Sequence, residues 1–404
     1  MMRTRSFWTA RLPESRQMRY PVHRGHVDLD VAIVGGGLPG CAAAFVFALS
    51  NIRAGLFEAD RLAREASGSA PGVILPEPAV PLTTLQATLG RRGARMVWEA
   101  TRLSALDFAA LLRRLGIRCD LAAAETLDYL SAHEHGRALE RERDLRADLG
   151  VDAQWLAGRR AAAKLRAATS GAIRTKGAFV CDPYAAALGL ARAAVARGAQ
   201  VFERSPVTKI RATKAGVEIA TARGTVSAAR VIVATGEPTR LFQPLARRFT
   251  RLISYRVLTP PLPAAIRRLL PATSVILREA ACPGHLLRWT RDNRVLFAGI
   301  DGQRIPERSR PGALVQHCAQ LMYELSLLYP DVSGIQPEFG WDALTCASDD
   351  GLPYIGPHRH YPHHLFALGG GRSDAGAAYL AAKMLLRSYT DTAEKSDAFF
   401  GFGR

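Results

Sequence analysis

The run Gly35-Gly36-Gly37-Leu38-Pro39-Gly40 constrains this chain more than any other feature, because of what flanks it. Val31-Ala32-Ile33-Val34 stands directly before it and reads as a buried strand. Cys41 to Leu49, small and apolar, reads as a helix that opens on the last glycine. Arg53-Ala54-Gly55-Leu56-Phe57 reads as a second strand, and Glu58 ends it, eighteen residues after Gly40. Strand, glycine turn, helix, strand and acid together form the dinucleotide-binding fingerprint. Gly35 lets the chain turn sharply, Gly37 lets bare backbone approach a pyrophosphate, and Gly40 lets helix and strand pack closely. Leu38 and Pro39 complete the turn, and the helix start directs N–H groups and the positive dipole end toward the phosphates. Glu58 is placed to accept hydrogen bonds from a ribose.

Composition supports a globular chain of more than one lobe. At 404 residues, with 48% hydrophobic and 22% charged side chains, it can bury substantial cores. Its six cysteines have no paired spacing, which argues against a zinc site or disulfide framework and fits a reducing compartment, the cytoplasm. Residues 1–24 are basic without an apolar centre, so they do not read as a secretory signal, and the apolar stretch 31–49 is broken by the glycine turn. No transmembrane segment is expected. The net charge of +18 comes mainly from dispersed arginines, since only six of 54 basic residues are lysines. No aromatic-interleaved basic stripe appears, so a dedicated nucleic-acid surface is not expected.

Later segments decide which dinucleotide. Val231-Ile232-Val233-Ala234-Thr235-Gly236 is a buried strand ending in Ala-Thr-Gly. Asp350-Gly351-Leu352-Pro353-Tyr354-Ile355-Gly356-Pro357 is followed by Gly369-Gly370-Gly371. With the fingerprint, these segments resemble the D-amino-acid oxidase superfamily of FAD-dependent oxidoreductases, to which glycine oxidase, sarcosine oxidase and the small subunit of D-amino-acid dehydrogenase belong. The resemblance runs from Phe7-Trp8 to Phe399-Phe400-Gly401-Phe402. It implies an α/β fold in which a Rossmann-like FAD-binding domain is interleaved with a second α+β substrate domain on a mostly antiparallel sheet. The expected division is an arm at 1–28, the FAD-binding domain at 29–90, 165–245 and 345–404, and the substrate domain at 91–164 and 246–344.

The resemblance also implies roles. Gly35, Gly37 and Gly40 hold the pyrophosphate and Glu58 the adenosine ribose. Ser67-Gly68-Ser69 matches a small-residue loop beside pyrophosphate and ribityl, Val207 a backbone contact to adenine, and Thr235-Gly236 a turn at the cofactor. Gly369, Gly370 and Gly371 match the segment beneath the isoalloxazine ring. There the family continues with Asn or His between glycines, whereas this chain has Arg372-Ser373-Asp374-Ala375-Gly376.

The implied chemistry is hydride transfer from a carbon bearing nitrogen to flavin N5, followed by hydrolysis of the imine. An amino-acid substrate calls for a bidentate arginine against its carboxylate, often beside a tyrosine hydroxyl. Arg288, on the expected strand Leu286-Leu287-Arg288-Trp289, is the first candidate. Arg372 is the second and Tyr255 a pocket-lining candidate. Cys346 lies closer to Asp350 than the cysteine that attaches flavin in monomeric sarcosine oxidases, so non-covalent FAD is expected. His358, His360, His363 and His364 lack an acidic or cysteine partner nearby, and no metal is expected. No lysine occurs between Lys214 and Lys383, so the lysine that helps oxygen react in sarcosine-oxidase relatives has no counterpart. The electron acceptor and any oligomer stay open. Two other readings remain: a C–N oxidase acting on a modified tRNA base, because Ala66 to Val73 resembles the flavin domain of a wobble-uridine enzyme, and a flavin-holding partner subunit without activity of its own.

Periodicity gives a helix over 90–116, with Val97, Leu103, Leu106, Phe108, Leu111 and Leu112 facing the core. A second helix opens at Asp182-Pro183 and closes at Gly198. A β-meander follows through Val207, Val217 and Val226, and a further helix covers Leu314 to Leu328. Trp8 and Tyr20 are expected to anchor the arm.

Overall fold

Two sheets of different construction organise the chain in the computed structural model, which describes every residue except 1, 14, 16, 132–136, 281–283 and 371–374. The first sheet runs in the order Tyr354–His358, Tyr361–Leu368, Gly224–Gly236, Gly25–Val34, Ala54–Phe57 and Gln200–Phe202. All neighbours in it are parallel except the first pair. Val31, Ala32 and Ile33 in its central strand are fully buried, as a strand covered on both faces requires. The hairpin Val207–Ala212 and Val217–Thr221 extends this sheet antiparallel to Gly224–Gly236, giving the expected meander.

The second sheet is mostly antiparallel. Its order is Phe339–Ser348, Phe249–Leu258, Val295–Gln303, Leu286–Trp289, Val275–Glu279, Ala122–Ser131, Thr169–Val180 and Val73–Ile74. Val275–Glu279 runs parallel to Ala122–Ser131, and Gln154–Ala157 pairs with Thr169–Val180. Residues alternate faces along each strand. Ile253, Tyr255, Val257, Leu287, Trp289 and Phe297 pack with Leu314, Leu321 and Leu325 of helix Arg310–Leu328. From the other face, Leu258, Leu296, Phe339 and Trp341 join the buried cluster that contains helices Leu38–Leu49 and Pro183–Val195 of the first lobe.

Sheet membership cuts the chain differently from the expected division. Thr169–Val180 and Val73–Ile74 belong to the second sheet, although both lie in spans assigned to the FAD-binding domain. Residues 25–28 already pair with 224–227, so the first strand begins inside the expected arm. The 90–116 helix is part of Leu82–Arg114, which breaks at Gly90 (φ 70°). Its buried face is Ala94, Val97, Trp98, Ala105, Phe108, Leu111 and Leu112, within the same cluster as the first-lobe helices. Leu103 and Leu106, read as core, are 60% and 37% exposed, because small Ala and Ser residues form the contacting face beside them. The helix start at Pro81 has no side-chain cap of its own. Glu142 supplies one from another helix, accepting from Leu82 and Thr83 N–H at 2.9 Å each. Glu142 also pairs with Arg146, which with Arg278 neutralises buried Glu77 and Asp128.

The arm binds both lobes. Arg3 bridges to Phe339 of the second sheet, Ser6 caps the short helix Phe7–Arg11, and Trp8 is buried. Tyr20 N–H reaches Glu203 at 3.4 Å.

Candidate cofactor and active site

At the fingerprint the backbone itself fixes the geometry. Gly35 has φ +106°, a conformation L side chains rarely adopt, and a Cβ there would stand 2.7 Å from the Ala234 carbonyl. At Gly40 a Cβ would lie 1.9 Å from the Gly35 carbonyl, so the helix could not seat against the turn. Gly37 is the N-cap of Leu38–Leu49, and Pro39 occupies the first turn, where its missing N–H is not needed. At Gly37 a Cβ would approach Ser67 Oγ to 3.3 Å.

Two side chains close this turn. Leu38 N–H donates to Ser67 Oγ at 2.8 Å, and Gly36 N–H donates to Glu58 Oε2 at 2.6 Å. Glu58 Oε1 accepts from Asp60 N–H at 2.9 Å. Burial pushes the Glu58 carboxyl up, against the pull of these N–H donors. Ser205 N–H donates to the Glu58 carbonyl at 2.8 Å, which brings Val207, first residue of the hairpin, to the same side. Bare backbone, a helix N-terminus and an acid at the end of the second strand suit a dinucleotide's pyrophosphate and ribose.

Ser67, Gly68 and Ser69 form the short helix Ala66–Ser69. The end of this helix and the residue after it are clasped by the arm and the second lobe. Ser6 Oγ donates to the Gly68 carbonyl, Trp8 Nε1 to Ala70 at 2.8 Å, and Trp341 Nε1 to Ser69 at 3.0 Å. Thr235 and Gly236 end the strand Gly224–Gly236, where Gly369 N–H donates to the Gly236 carbonyl at 2.8 Å. Gly370 bridges to Ala347 of the second sheet. Gly371, Arg372 and Ser373 lie outside the described residues. Cys346 Sγ donates to the Gly236 carbonyl at 3.0 Å, and burial pushes its thiol up to about 12. Such a thiol is a poor nucleophile.

The second lobe sorts the substrate candidates by strand face. Arg288 is buried on the face turned to the first lobe and donates from Nη1 to the carbonyls of Gly72 and Cys181, the latter at 3.1 Å. Its guanidinium lies 5.1 Å from the Trp8 ring centroid, and burial lowers its pKa to about 10. The structure thus employs Arg288 at the lobe junction, against the carbonyls of Gly72, in the strip after Ser69, and Cys181, just before helix Pro183–Val195. Tyr255 lies on the opposite face, packed with residues of helix Arg310–Leu328. Its ring lies tilted against His317 with centroids 4.3 Å apart, and burial with nearby Asp342 raises its hydroxyl pKa. A one-residue difference in strand position changes the face.

Arg256 was not singled out from the sequence. It is 3% exposed, pairs with Trp341 and Ala298 across the sheet, and so shares their face toward the first lobe. One Nη1 contact goes to the Ser254 carbonyl at 3.3 Å. The available signal was a lone arginine inside the apolar run Ile253 to Leu258. The histidine segment 358–364 forms no metal-binding group, and no His, Cys, Asp or Glu cluster of three suits a metal among the described residues. Nor is any helix among them long and apolar enough to cross a membrane.

With this geometry in place, the comparisons with known proteins agree. The chain belongs to the FAD dependent oxidoreductase family, whose profile matches residues 30–387. It is 26% identical over 349 residues to a glycine oxidase of Geobacillus kaustophilus, covering 81% of this chain and 84% of that relative. It is 24% identical over 388 residues to the probable oxidoreductase OrdL of Haemophilus influenzae, covering 92% and 85%. The crystal structure of the Geobacillus glycine oxidase superposes with a TM-score of 0.74 at 22% identity, covering 93% of this chain and 99% of that one. This chain is therefore an FAD-dependent oxidoreductase of the D-amino-acid oxidase superfamily.

Proposed function

We propose that this protein oxidises a carbon–nitrogen bond of an amino acid or amine, with FAD held non-covalently. The observation that carries the reading is Arg256: a buried guanidinium on the sheet face that fronts the cofactor lobe, beside Trp341. The similarity to a glycine oxidase supports a small amino-acid substrate. When bound, FAD supplies the two-electron acceptor that takes hydride from the carbon bearing nitrogen.

The chain's own residues bind and orient. Arg256 is the charge partner for a substrate carboxylate in this reading, and its position in the strand sets which substrate carbon faces the cofactor lobe. Trp341 and the apolar residues of the same face, Leu258 and Ala298, keep water from the junction. Non-covalent FAD is supported by Cys346, whose buried thiol is committed to the Gly236 carbonyl. Water then hydrolyses the imine product, which needs no protein nucleophile. A reducing compartment, the cytoplasm, fits the buried free cysteines.

An anaerobic screen of amino acids and secondary amines, read as bleaching of the flavin absorbance, tests this. Bleaching by a small amino acid and recovery on adding an electron acceptor is the expected result. Flavin that no amine or amino acid bleaches would discard the reading and favour a flavin-holding partner subunit.

A further inference from the structure

We infer that a cleft on the outer side of the second lobe is a binding site for phosphate groups, separate from the redox site. It lies between the end of helix Gly158–Leu165 and residues 263–275, which lead into strand Val275–Glu279. Its volume of about 460 Å³ lies within the range of small-ligand sites, ~300–1,000 Å³. Lys164, Arg166, Arg267 and Arg268 line it with one carboxylate, Glu125, and the hydroxyl of Ser274.

The charges do not balance. Glu125 is already engaged by Lys164 Nζ at 2.5 Å and by Arg174, whose Nε lies at 2.7 Å. Among the described residues, no carboxylate stands within ion-pair distance of Arg166, Arg267 or Arg268. Arg267 Nε is buried and has no hydrogen-bond partner. Cations at helix ends do offset the dipole, and that accounts for Lys164 in the last turn of its helix. It does not account for Arg166, Arg267 and Arg268, which line the same cleft with no carboxylate partner among the described residues. Three arginines lining one concavity match a multiply charged oxyanion with several acceptor oxygens. Among the described residues no aromatic side chain lines the cleft, so recognition would rest on the phosphate and not on stacking of a base. Two sources carry that chemistry, a free phosphorylated molecule and the phosphate chain of an RNA.

The test uses FAD-loaded protein and its Arg267→Gln/Arg268→Gln variant, with flavin content and thermal midpoint checked to be unchanged. Titration calorimetry at low salt measures inorganic pyrophosphate and, separately, a short single-stranded RNA. Pyrophosphate is expected to bind the native protein, with affinity about tenfold or more weaker in the variant. If RNA affinity falls by a similar factor, the source is a nucleic-acid phosphate chain. If RNA does not bind, or binds both proteins equally, the source is a free phosphorylated ligand. Absence of pyrophosphate binding below about 10 mM, or equal affinity in both proteins, would overturn the proposal. Because neither arginine lies at the lobe junction, flavin bleaching by substrate is independent of every outcome.

Discussion

The two lobes meet their functional demands by opposite means. In the first, the candidate cofactor cradle is shaped by what is missing: a Cβ at Gly35 or Gly40 would strike backbone. In the second, the demand falls on long side chains projecting from a pleated sheet, and a shift of one residue decides whether a group meets the cofactor lobe or helix Arg310–Leu328. Arg256 and Tyr255 are sequence neighbours on opposite faces. Backbone-determined sites tolerate no added atoms. Side-chain sites tolerate size changes and depend on charge and direction.

The largest expected effect tests the first half of that contrast. Gly40→Val should abolish FAD retention and destabilise the lobe, because its Cβ would fall 1.9 Å from the Gly35 carbonyl, which cannot move without disturbing the turn. Flavin absorbance after gel filtration measures this, and a yellow Gly40→Val protein would refute the backbone account.

Arg256→Lys tests the second half. It should lower kcat/KM for a carboxylate substrate by some thirty- to several-hundredfold, about 2–4 kcal/mol, with FAD content unchanged, since lysine cannot reproduce a planar two-point grip. Tyr255→Phe, on the other face, should change the same ratio by less than about twofold. Steady-state kinetics on matched flavin concentrations reads both. Equal losses in the two variants would remove the face distinction.

Arg288→Met separates junction from site. Loss of its charge-assisted bonds to Gly72 and Cys181 should lower stability by about 1–3 kcal/mol and speed flavin release. Turnover per bound flavin should change by less than about threefold. Urea unfolding and flavin fluorescence follow the first effect. A large loss of turnover with unaltered stability would return Arg288 to the substrate.

The smallest effect concerns pH. Asp182 caps helix Pro183–Val195 through Ala185 N–H at 2.9 Å, next to the carbonyl that Arg288 holds, and burial raises its pKa to about 6. An acid with a raised folded pKa binds its proton more tightly when folded. Its contribution to stability is therefore greatest below about pH 4 and declines as pH rises toward 6, by about 1–3 kcal/mol. Asp182→Asn keeps the cap and removes the titration. The variant should gain on the native protein between pH 4.5 and 7 in urea midpoint, and parallel pH profiles would exclude Asp182 as the group responsible.

Legibility follows the same division. The fingerprint, the acid, the meander and the Asp182-Pro183 helix start were readable because each depends on local backbone conformation or on short apolar periods. The exposed positions Leu103 and Leu106 misled because a helix packed through Ala and Ser leaves its larger side chains outside. The strand Thr169–Val180 was missed because its residues show no clean alternation, and its place in the second sheet comes from pairing with Ala122–Ser131.

By itself the sequence determined the dinucleotide fold, since glycine geometry and apolar spacing act over a few residues, while the cofactor class and the mostly antiparallel second lobe were implied by its resemblance to a family. Only the tertiary structure decided what Arg256, Arg288 and Tyr255 face. Strand register, and hence face, is set by partners distant in the chain, Trp341 opposite Arg256 and Asp342 opposite Tyr255. The same distant packing brings Gly72 and Cys181 to Arg288, contacts that no spacing along the chain encodes.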